Sequence, residues 1–97
     1  MDIRIKAIHF DVAEKLTNFI NKKVERLARH NESISDVDVT LKVVKPETAM
    51  NKEALIKIMA PQHEDLVASK VADTFEEAVD LCLEAIERQL EKKKAKK

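Results

Sequence analysis

Residues 36–44 read DVDVTLKVV, so that Val37, Val39, Leu41 and Val43 alternate with Asp38, Thr40 and Lys42. A period of two sends successive side chains to opposite faces of an extended chain, which commits the fold to a sheet with one apolar and one polar face. The strand is expected over about residues 34–44. The same alternation marks Ile3, Ile5 and Ala7 against Arg4 and Lys6, and Ala54, Ile56 and Ile58 against Leu55, Lys57 and Met59. A polar run around Pro46, which cannot continue a central strand, supplies the hairpin loop between the second and third strands. Pro61 to Glu64 turns the chain into a weaker fourth strand over 65–72, whose inward parity is open because Leu66 and Ala68 compete with Val67 and Val71.

A sheet with one apolar face needs a cover, and two segments have the period for it. Val12, Leu16, Phe19, Ile20, Val24 and Leu27 recur at spacings of three and four, one stripe of an α-helix. Asp11 and Glu14 have capping-box spacing, so this helix is predicted to start after Asp11 and to run to about His30. Thr74 and Glu77 form a second such pair, followed by Phe75, Ala78, Val79, Cys82, Ile86 and Leu90 in a helix from about 74 to 93. The order β-α-β-β-β-α over 97 residues defines an α+β fold: a four-stranded mixed sheet with two parallel helices packed on one face. Residues 1–94 are expected to form one domain, and 95–97 a frayed basic tail.

Eighteen basic and eighteen acidic residues cancel, but segments 1–30, 31–60, 61–87 and 88–97 carry +3, −1, −7 and +5. Parallel helices bring both C-terminal ends to one end of the layer. Lys22, Lys23, Arg26 and Arg29 from the first would then join Arg88, Lys92, Lys93 and Lys94 from the second in one basic surface. Bases in a last helical turn also complement the helix dipole, which accounts for some of them at ~0.3–1 kcal/mol each.

The chemistry of enzymes is missing. His9, His30 and His63 fall in separate loops or element ends and share no metal-ligand spacing with the lone cysteine. Cys82 lies on the apolar stripe of the second helix, a place for a small buried side chain. Without glycine there is no phosphate-cradling loop. No cofactor is called for, and the chain reads as a binder, not an enzyme. With no Trp or Tyr and three Phe at core spacing it lacks a base-stacking platform. The acidic TFEEAVD opening of the last helix argues against the docking mode of a double-stranded-RNA-binding domain. RNA contact would have to be electrostatic. No apolar run approaches the ~20 residues that span a bilayer, and a lone cysteine suits a reducing compartment, so a cytoplasmic protein is expected.

The strand from residue 3, the FINKKVERLARH segment with Lys23, Arg26 and Leu27, the VDVTLKVVK strand and the DTFEEAVDLCLEAIERQLEKKK helix together resemble the ribosome hibernation-promoting factors. These are also called ribosome-associated inhibitor or ribosomal subunit interface proteins. The resemblance implies a domain that binds the small ribosomal subunit through ribosomal RNA, in the channel of mRNA and tRNA, and silences translation by occupancy. It implies phosphate contacts for Lys22, Lys23, Arg26 and Arg29 and for Arg88, Lys92, Lys93 and Lys94, a monomer when free, and the short form of the family. A glycine usual after the family's first strand is Ala7 here, and a lysine usual in its last helix is Ala85. The acidic stretch 61–87 faces either a ribosomal protein or solvent. The alternative is a protein-interaction or self-associating module using the open sheet face, where Leu55 and Met59 lie beside Lys57.

Overall fold

The computed structural model describes residues 2–31, 33–44, 49–61 and 63–95, without the side chains of His63, Lys93, Lys94 and Ala95. Its elements are β1 (Asp2–Ala7), α1 (Glu14–Arg29), β2 (Asp36–Val43), β3 (Lys52–Ala60), β4 (His63–Ala72) and α2 (Phe75–Ala95). The expected α+β order is observed. The strands lie in the order β1-β2-β3-β4, with β1 parallel to β2 and the other two pairings antiparallel.

Pairing carries side-chain parity across the sheet, because directly opposite residues share a face. Val37 stands opposite Ile58 and Val39 opposite Ile56, and these are in turn opposite Leu66 and Ala68. That register settles the parity of β4: Leu66, Ala68 and Ala72 are buried, while Val67 is exposed. The strand also begins two residues earlier than predicted, because Ala60 pairs with His63. The loop expected around Pro46 falls on residues 45–48, outside the described residues.

The inward face meets Ile20, Val24 and Leu27 of α1 and Ala78, Val79, Cys82, Ile86 and Leu90 of α2 in one core. Ile20, Leu41, Ile56, Ile58 and Ile86 are its largest fully buried side chains. α2 opens as predicted: the Thr74 hydroxyl accepts the Glu77 N–H at 3.1 Å, a cap worth about 1 kcal/mol. α1 does not. It begins at Glu14, with Ala13 extended at the cap position and no side chain capping it. The cause lies upstream, where His9 takes a left-handed backbone conformation (φ 64°). Phe10 then stacks on Phe75 at 5.2 Å between ring centroids. Phe10 and Val12 pack against the core from this extended connection, so helical winding starts only after it.

On the open face Arg4 Nε donates to Asp38 Oδ1 at 2.6 Å, and Lys57 Nζ lies 3.4 Å from Asp65 Oδ2. These pairs interrupt the apolar side chains Leu55 and Val67, which are exposed on that face. On β4, the sheet's last strand, the carbonyl of Val67 accepts the side-chain amide of Gln89 from α2 at 3.4 Å. No described helix is long and apolar enough to cross a membrane.

Cys82 takes the core role expected of it. Its Sγ lies 3.1 Å from the Ala54 carbonyl and 3.6 Å from that of Ala68, and burial pushes the thiol up from 9.0 to about 11. The folded state thus holds the proton more tightly than the unfolded chain does. Its contribution to stability is complete below pH 9 and fades as the pH rises toward about 11. A disulfide reagent at pH 8 should therefore label Cys82 only at the rate of unfolding; rapid labelling of the native protein would contradict this burial.

Candidate nucleic-acid interface

The period that buries Ile20, Val24 and Leu27 turns the charged residues of α1 outward. Lys22, Lys23, Arg26, Arg29 and His30 line one shallow depression of about 480 Å³, so all four predicted α1 positions are brought together. Lys22, Arg26 and Arg29 are exposed, whereas Lys23 is partly covered. The Lys23 ammonium lies 5.5 Å from the centroid of the Phe19 ring and 3.4 Å from Asp80 Oδ1 on α2. A cation held at both sides loses less side-chain freedom on meeting an anion.

The Lys23–Asp80 contact also fixes the relative direction of the helices. The groove holding it extends to His30 and Asn31 on α1 and to Leu90 and Glu91 on α2, so residue numbers rise together along both walls. The helices are parallel, as the connections require, and their C-terminal ends share one end of the layer.

The expected merging into one basic surface is interrupted. Between the helices runs a groove of about 520 Å³ whose α1 wall carries Lys23, Arg26 and His30 and whose α2 wall carries Asp80, Glu84, Glu87 and Glu91. Arg88 and Lys92 are exposed but line neither the depression nor the groove. Arg88 follows Glu87 and therefore points about 100° further round the helix. The side chains of Lys93 and Lys94 lie outside the described residues. The sequence left the acidic stretch 61–87 facing either a ribosomal protein or solvent, and the spacing of the acids on α2 was passed over. From Asp80 the steps of four, three and four are the same helical signature that identified the apolar stripe.

Two parallel helices on one face of a mixed sheet, with a cationic depression on the first, define a small α+β domain with a basic helical surface. The chain belongs to the family described as Sigma 54 modulation protein / S30EA ribosomal protein, whose model matches residues 3–97. This is the family of the hibernation-promoting factors that the sequence resembles. A ribosome hibernation promoting factor from Azotobacter vinelandii is 29% identical over 100 residues, covering 99% of this chain and 85% of that protein. One from Pseudomonas putida is 28% identical over 96 residues, covering 99% and 89%. Among solved structures, a ribosomal subunit interface protein from Coxiella burnetii superposes with a TM-score of 0.86 at 25% identity, covering 99% of this chain and all of that one. The N-terminal domain of Thermus thermophilus Protein Y shares the fold, with a TM-score of 0.77 at 18% identity over 95% of this chain and 98% of that one.

Proposed function

We propose that this protein is a cytoplasmic ribosome hibernation factor that binds the small ribosomal subunit through ribosomal RNA and silences translation by blocking mRNA and tRNA access. The observation that carries the reading is the convergence of Lys22, Lys23, Arg26 and Arg29 on one depression, in a chain of the S30EA family. The chemistry is occupancy, not catalysis: guanidinium and ammonium groups fixed on a rigid helix meet phosphate oxygens and displace their counterions. Arg88, Lys92, Lys93 and Lys94 follow on the neighbouring helix and extend the contact along the RNA. The depression acts as the primary anchor because its cations come from a single helix and sit side by side.

Cosedimentation with purified small subunits across a salt series tests this. If about four phosphates are neutralised, affinity falls roughly a hundredfold between 50 and 200 mM salt. Failure to cosediment even at low salt overturns the proposal. A stable dimer in light scattering with no ribosome affinity would instead favour self-association through the open sheet face.

A further inference from the structure

We propose that the groove between α1 and α2 is a docking site for an extended lysine- and arginine-rich polypeptide segment. This deepens the proposed function and rests on it, the segment being one that a basic protein of the small subunit presents beside the RNA. Three observations converge. The first is that the groove is built but not closed. Its walls carry opposite charge, and Leu27, Leu83 and Leu90, buried in the core, also line it. Yet only Lys23 and Asp80 meet across it, at 3.4 Å. Among the described residues, Glu84, Glu87 and Glu91 take part in no ion pair, and neither does Arg26.

The second is where these carboxylates stand relative to the cationic depression. Lys23, Arg26 and His30 line both hollows, so RNA phosphates seated on α1 lie across one groove from the α2 acids. A phosphate on the Lys23 ammonium, itself 3.4 Å from Asp80 Oδ1, stands within the screening length of about 8–10 Å at physiological salt, and the acids repel it. A cationic segment laid in the groove reverses the sign of this interaction, since its charges face carboxylates on one side and phosphates on the other. A second strand of RNA in the groove would add repulsion.

The third is spacing. From Asp80 to Glu91 the acid row rises about 16 Å along α2, which an extended chain covers in about five residues. Successive acids are about 4.5–6 Å apart along the axis, against roughly 7 Å between alternate residues of an extended chain, a difference that long, flexible lysine and arginine side chains take up. Lysine and arginine suit such a site, because their methylene stems can lie along the groove, against what Leu27, Leu83 and Leu90 leave open to it, while the heads reach the carboxylates.

The test uses a nine-residue fluorescent peptide with Lys or Arg at alternate positions, titrated into the free full-length protein at low salt. Binding is expected, with methyl shifts at Leu27, Leu83 and Leu90, and it should weaken about tenfold in the Glu84→Gln/Glu87→Gln/Glu91→Gln variant, a few-fold for each exposed pair. No binding, or equal binding by the variant, overturns the proposal. On ribosomes the same variant should bind intact small subunits about tenfold more weakly while binding protein-free ribosomal RNA no less tightly. If it binds intact subunits as well or better, the acids merely repel phosphate and the inference is wrong. The peptide assay needs no ribosome, so it decides the groove independently of whether the α1 surface binds RNA.

Discussion

Replacing Lys22, Lys23, Arg26 and Arg29 together by Glu is expected to abolish cosedimentation with small subunits, a loss of more than a hundredfold at 100 mM salt. Each reversal removes one counterion-releasing phosphate contact and installs a charge that repels the same phosphate. The fold should survive, because Lys22, Arg26 and Arg29 are exposed and the apolar stripe of α1 is untouched. Among the described residues Lys23 has the partners to lose: the Phe19 ring and Asp80, the exposed pair with Asp80 being worth at most about 1 kcal/mol. The check is gradient sedimentation beside a thermal melt, with a midpoint within a few degrees of the parent. A variant that still cosediments would move the RNA surface away from α1.

The second large effect concerns stability. Ile56 lies on an interior strand, fully buried, with Val39 opposite it on one side and Ala68 on the other. Ile56→Ala removes apolar surface from the core and leaves a cavity that neighbouring strands cannot close without breaking register. The expected cost is about 2–5 kcal/mol. For a domain of this size that is a fall in Tm of roughly 10–25 °C, set against a total stability of about 5–15 kcal/mol. Denaturant unfolding should show a lower midpoint with an unchanged slope; a change below about 1 kcal/mol would mean that Ile56 is not in the packed centre.

Most of the architecture could be read in advance because each element is amphipathic with its own period. Val37, Val39 and Leu41 declare a buried face locally, and Ile20, Val24 and Leu27 do so at helical spacing. The misses were features decided by contacts between distant segments. Leu66 and Val67 compete on equal terms within β4, and only pairing with Ile58 and Lys57 assigns their faces. Asp11 satisfies a capping pattern, but stacking of Phe10 on a ring 65 residues away holds the chain extended past it. The α1 cations were legible because they sit on one helix. The division of the basic surface was legible too, in the spacing of Asp80, Glu84, Glu87 and Glu91, but it acquires meaning only once parallel helices set that row against Arg26.

The amide of Gln89 resting on the Val67 carbonyl bears on how the molecule keeps to itself. β4 is a ten-residue strand at the margin of the sheet, with unpaired backbone groups of the kind that recruit a strand from another chain and seed aggregates. Here the helix covering the core also reaches past the margin and occupies one of those acceptors. Charged Glu64, Asp65 and Lys70 further discourage a visiting strand along the same stretch. One side chain on α2 thus joins the layer that stabilises the domain to a safeguard against its polymerisation.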